Sequence, residues 1–143
     1  LSQLPAFLAR HSGINSGFMI PHYTAASLVS ENKILATAAS IDSIPVSASQ
    51  EDHVSMGTTA ARKAGKVVEN VSHVLAIELM CACQAVDFQG AEKLAPQTRR
   101  IYDIVREVIS PLDGDRWLYP DIEAITELVI KGQIAQAVKE AVL

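Results

Sequence analysis

Four consecutive residues, Gln50-Glu51-Asp52-His53, set an amide, two carboxylates and an imidazole side by side, just ahead of the longest apolar pattern in the chain. Such side chains accept hydrogen bonds from a polar ligand or exchange a proton with it. A plainer role is open to each. Asp52 is placed to cap the helix that follows, Glu51 to favour its positive N-terminal end, and the other two to lie in solvent. The approach tells against so plain a role, because a long Ser/Ala stretch leading onto a long helix is an unusual way to build a simple cap. The other reactive residue types read more simply. His73 sits mid-pattern beside Val71 and Val74 and reads as a packed or surface histidine. Cys81 and Cys83, two apart on a helix, point to different sides and are poorly placed to bridge each other. They read as buried small residues, and Met19, Met56 and Met80 as core filling. No His-x-x-x-His or Cys-x-x-Cys spacing occurs, so no metal site is expected.

The chain as a whole narrows the choice of function. Its 143 residues are 49% hydrophobic and 20% charged, with a formal net charge of −4. That is a globular composition, and too apolar for a disordered tail. No basic cluster exceeds Arg99-Arg100, which reads as a solvated face, so no nucleic-acid partner is expected. Contiguous apolar runs such as Val74–Ile77 fall far short of the roughly 20 residues of a membrane span, so no membrane is expected. Paired disulfides are not foreseen either, which suits a reducing, cytoplasmic setting. The first residue is Leu, with no leader pattern after it, and reads as an internal start.

Helical spacing dominates the elements that must position the polar quartet. Ile14 to Ala36 forms one apolar stretch, with Asn15 or Ser16 as its expected cap and Pro21 in its first turns. Thr37–Ser49, rich in Ser and Ala and carrying Pro45, reads as a long ordered loop. From His53 to Phe88, steps of four and three give Ala60, Ala64, Val67, Val71, Val74, Glu78, Cys81, Ala85 and Phe88, a seam suited to a helical bundle. A second stripe, Leu75, Leu79, Ala82 and Val86, suggests burial on two sides at the C-terminal end. A helix of about 35 residues spans roughly 50 Å. Pro96 to Ile109 reads as a helix opened by its proline, 110–115 as a turn cluster, and 121–131 and 133–143 as two helices parted by Gly132. The expected fold class is all-α, an elongated helical bundle with one very long central helix.

Four blocks carry a resemblance beyond pattern. They are Asn15-Ser-Gly-Phe-Met-Ile20, Thr24-Ala-Ala-Ser-Leu-Val-Ser-Glu-Asn-Lys33, Ser40-Ile-Asp-Ser-Ile-Pro45 and Ser49-Gln-Glu-Asp-His-Val-Ser-Met56. In this order they resemble the C-terminal half of the histidine ammonia-lyases, within the aromatic amino acid lyase family and its fumarase/aspartase-like fold. The close match covers about Gly13–Lys63. The resemblance implies elimination of ammonia from L-histidine to give trans-urocanate, in a cytoplasmic homotetramer whose active sites combine several subunits. It implies the electrophile 4-methylideneimidazol-5-one (MIO), which the family forms from an Ala-Ser-Gly in its N-terminal half. Here Ala26-Ser27 is followed by Leu28, Ala39-Ser40 by Ile41 and Ala48-Ser49 by Gln50, so the 143 residues read as a single C-terminal unit without the cofactor, inert alone.

Of the family's functional residues, Glu51 matches the carboxylate that faces the substrate imidazole, as a catalytic and substrate-binding residue. Gln50 follows as a second substrate contact. A carboxylate accepts a hydrogen bond from a ring N–H and favours a cationic imidazole. The phenylalanine and tyrosine lyases carry Gln where Glu51 stands, so Glu51 favours histidine. Pro21-His22-Tyr23, Ser49 and Thr37-Ala38-Ala39 depart from the commoner family pattern, beside the site rather than at Glu51. Two alternatives remain: a related aromatic amino acid lyase or aminomutase, and a helical binding module without the cofactor.

Overall fold

A computed structural model describes residues 3–140. Five α-helices carry the fold: α1 Met19–Leu35, α2 Gly57–Gln89, α3 Pro96–Val108, α4 Tyr119–Ile130 and α5 Gln133–Glu140. Single 3-10 turns at Ala6–Leu8, Ala39–Ile41 and Ala91–Lys93 link them. Among the described residues there is no strand, only the isolated bridges Ser12–Asn15 and Val46–Glu51. The all-α expectation therefore holds, and each expected helix is present within a few residues of its predicted ends. The part of the last pattern beyond Glu140 lies outside the described residues.

Helix α2 is the axis. At 1.5 Å per residue its 33 residues run about 50 Å. Helix α1 runs antiparallel to α2, with Thr37 beside Lys63, Glu31 beside Asn70 and Phe18 packed with Ala76 and Met80; α4 also lies on α2, and α3 packs on α5 and on the end of α2. By length and composition alone α2 could cross a bilayer. Its buried Asn70, Ser72 and Gln84, and the helices laid against it, mark it as the core helix of this fold. The core joins Phe18, Ala76, Met80, Cys83, Val105, Ile109, Leu112 and Ile125 from all parts of the chain.

The expected seam of α2 is not the face turned inward. The buried residues are Asn70, Ser72, Ala76, Ile77, Met80, Cys83 and Gln84, whereas on the expected seam Val71 and Glu78 are exposed and Val74, Cys81, Ala85 and Phe88 only half-buried. Hydrogen bonding makes this possible, for Asn70, Gln84 and the half-buried His73 and Asp87 each meet a partner from another element. Asn70 donates to Glu31 and Asn32 of α1, both at 2.9 Å. His73 Nε2 lies 3.0 Å from Glu123 of α4. Gln84 pairs with the backbone of Leu112, and Asp87 receives the Tyr102 hydroxyl at 2.6 Å and the Arg106 guanidinium. A buried polar group so satisfied loses little relative to water and gains register. Val71 is left exposed, and of the second stripe Leu75 and Ala82 are exposed while Leu79 and Val86 are half-buried, so this chain covers that side only in part.

Two expected caps are also corrected. Helix α1 starts at Met19 after Phe18, without a side-chain cap. The N–H groups of Ser16 and Gly17 instead donate to the two oxygens of Asp115, at 2.7 and 2.9 Å. Asp52 does not cap α2, which begins at Gly57 with the Gly57 N–H donating to Ser55 Oγ at 3.2 Å. The helix starts four residues later than expected, with Met56 at the cap position, which leaves Asp52 upstream of its first turn.

Candidate active-site loop

The link from α1 to α2 is built to hold a turn rather than a helix. Pro45 removes a donor and restrains the residue before it, while the Ser and Thr around it compete for backbone bonds. A turn of 3-10 helix at Ala39–Ile41 starts the link, and Ser43 Oγ accepts the N–H of Val54 at 3.0 Å across it. At the tip, Val46 and Glu51 exchange both backbone hydrogen bonds, at 3.1 and 3.3 Å. The chain reverses through Ser47, Ala48 and Ser49, all three in the left-handed region at φ 54°, 56° and 61°. For residues with a Cβ this costs roughly 1–2 kcal/mol each. Such conformations persist where surroundings enforce them, and they gather at functional sites.

The quartet Gln50–His53 is thereby spread out. Glu51 stands at the base of the tip, Gln50 on the tip itself, and both are exposed, as are Asp52 and His53. His53 turns with Asp42 and Ser43 towards a cavity of about 850 Å³ that also reaches Ser40, Met56 and Ala60. Neither Gln50 nor Glu51 lines it. The Glu51 carboxylate thus projects from a braced loop into the open, where other parts of a larger protein can enclose it.

Features that residue types did not disclose hold the opposite end of the fold, where α1 begins and α2 ends. Gly17 is obligatory: its φ is +53°, and a Cβ there would lie 2.5 Å from the Phe7 carbonyl oxygen. Asp115, which reads in the sequence as part of a turn, is held below the usual carboxylate range by the N–H groups of Ser16 and Gly17. Hydrogen bonding to Asp87 chiefly pushes the Tyr102 hydroxyl up. Burial pushes both Cys81 and Cys83 up to about 11, so neither is a thiolate nucleophile at neutral pH. His73 is packed between α2 and α4, in line with its reading from sequence. Among the described residues no three His, Cys, Asp or Glu side chains gather as a metal site would require.

An all-helical chain organised on one long helix, with an acid-and-amide loop braced ahead of it, has the architecture of a helical-bundle component. The family model of the aromatic amino acid lyases matches residues 1–107, and the chain belongs to that family. It is 65% identical over 139 residues to a histidine ammonia-lyase of Symbiobacterium thermophilum, covering 97% of this chain and 27% of that protein. The crystal structure of histidine ammonia-lyase from Trypanosoma cruzi superposes with a TM-score of 0.92 at 50% identity, covering 99% of this chain and 28% of that one. A tyrosine aminomutase from Streptomyces globisporus gives a TM-score of 0.90 at 35% identity, over 96% of this chain and 26% of its own. The chain thus spans little more than a quarter of the length of these relatives.

Proposed function

We propose that these residues are the C-terminal part of a histidine ammonia-lyase, which eliminates ammonia from L-histidine to give trans-urocanate. The carrying observation is identity along almost the whole chain, higher to histidine ammonia-lyases than to the tyrosine aminomutase of nearly equal fold likeness. Glu51 supports the same choice. Its carboxylate accepts a hydrogen bond from an imidazole N–H and stabilises positive charge on that ring, which an apolar aromatic ring would not repay. Gln50 adds a second polar contact from the same tip.

In this reading MIO supplies the electrophile. The chain's own residues do not fit its formation, because none of the three Ala-Ser pairs precedes a glycine. The group belongs to the N-terminal half of the same protein, and this chain's share of the work is binding and orientation by Glu51 and Gln50. A homotetramer in the cytoplasm completes the proposal. The outward apolar side of α2, with Val71 and Leu75 exposed, supports packing against further helices of such an assembly.

The test is urocanate absorbance from L-histidine, with these residues alone and within the full-length polypeptide. Activity is expected only in the second case. Glu51→Gln in the full-length protein should lower kcat/KM for histidine about 10- to 100-fold, the worth of a charge-assisted hydrogen bond. Turnover near wild type would remove Glu51 from the site. Activity on tyrosine or phenylalanine and none on histidine would favour the aminomutase branch.

A further inference from the structure

Three nested contacts close the α1–α2 link. Outermost, Lys63 Nζ on α2 donates to the Thr37 carbonyl just beyond α1, where an ammonium also suits the negative helix end. Innermost is the Val46–Glu51 pair at the exposed tip. Between them stands the bond from the Val54 N–H to Ser43 Oγ at 3.0 Å, half-buried and bridging both arms of the loop. The Ser43 N–H is taken in turn by Asp42 Oδ1 at 2.8 Å, which fixes the residue that presents the hydroxyl.

The tip cannot set its own direction. A short exposed hairpin is marginal in water, and three consecutive left-handed residues need outside restraint to persist. Lys63 fixes where the link begins, and Gly57 where it ends, but both lie at its base. Ser43 is the side chain that ties the arm carrying Glu51, through Val54, to the arm leaving α1. The geometry points to Ser43 as a positioning residue for Glu51, its hydroxyl setting the aim of that carboxylate on the substrate's imidazole. This rests on the reading of Glu51 given above and extends it to a residue that touches no substrate.

A double-mutant cycle in the full-length enzyme tests it, with Ser43→Ala and Ser43→Thr each made alone and in the Glu51→Gln background. Ser43→Ala is expected to lower kcat/KM for histidine about fivefold with the melting temperature unchanged, and Ser43→Thr, which keeps the acceptor, to restore it. In the Glu51→Gln background Ser43→Ala should change kcat/KM by less than about twofold, because the group it aims is already lost. The same loss in both backgrounds, or no loss in the first, overturns the proposal. Wild-type turnover by Glu51→Gln alone would instead reject the reading of Glu51, a separate result. Amide exchange at Val54 in the unmutated enzyme gives an independent check: protection is expected, and exchange at the rate of a free loop overturns the assignment even if Ser43→Ala does not fold.

Discussion

Gln84 makes a hydrogen-bond pair that is worth breaking deliberately. It is 2% exposed, near the C-terminal end of α2. Its Nε2 donates to the Leu112 carbonyl and its Oε1 accepts the Leu112 N–H, both at 2.9 Å, so one side-chain amide satisfies both backbone groups of a residue that no helix serves. Leu112 is itself 4% exposed, which leaves little access for water. Gln84→Met keeps the length and removes both partners. Each abandoned backbone group costs about 1–3 kcal/mol, and the two together roughly 3 kcal/mol after modest relaxation. The readout is local: the exchange rate of the Leu112 amide, expected to rise about 100-fold. Gln84→Glu makes the complementary case. Its carboxylate sets a second oxygen against the Leu112 carbonyl, whereas the protonated acid donates there as the amide did. A buried carboxyl in that position has its pKa raised, so the variant is most stable below the unfolded value and loses stability as pH rises through the folded one. Exchange at Leu112 unchanged in Gln84→Met would refute the account.

Two further outcomes concern the Ser16–Gly17 turn. Gly17→Ala adds a clash 2.5 Å from the Phe7 oxygen to an unfavourable φ, and should cost about 3 kcal/mol, read as a clear fall in melting temperature; an unchanged melt would contradict the geometry. Asp115 is held below 3.8, so its contribution is full above that value and fades as pH falls through the lower, folded one. Asp115→Asn should therefore lower the melting temperature at neutral pH by an amount that shrinks as pH falls below 3.8, and a gap that persists unchanged in acid would exclude the carboxylate as its source.

Sequence pattern reached the helices and the loop between the first two, and misplaced what holds them. Apolar spacing on α2 selected Val71, Val74, Cys81, Ala85 and Phe88, away from the face that holds the buried Ala76, Ile77, Met80 and Cys83. That face escapes a count of apolar residues because it also carries Asn70, His73, Gln84 and Asp87, which depend on partners far along the chain, such as Glu31, Glu123, Leu112 and Arg106. Caps failed for a related reason. Asp52 and Ser16 are types that favour helix starts, but α2 begins only at Gly57, beyond the reach of one, and Asp115 recruits the N–H of the other. A left-handed Ser-Ala-Ser carries no glycine to announce it.

The exposed stance of Glu51 also bears on how a carboxylate selects histidine. Opposite charges 4 Å apart attract by about 1 kcal/mol in bulk water and about 4 kcal/mol at an effective dielectric of 20. The first figure is worth less than tenfold and cannot separate one aromatic amino acid from another. The second adds about 3 kcal/mol, roughly a hundredfold preference. Glu51 on this chain stands in the wet limit, because its tip is exposed and the neighbouring cavity does not include it. On the proposed function, selection of histidine requires other walls to close over the tip. The loop's task under that proposal is to keep the carboxylate aimed before those walls arrive, and the tie between Ser43 and Val54 and the left-handed turn are the features placed to do so.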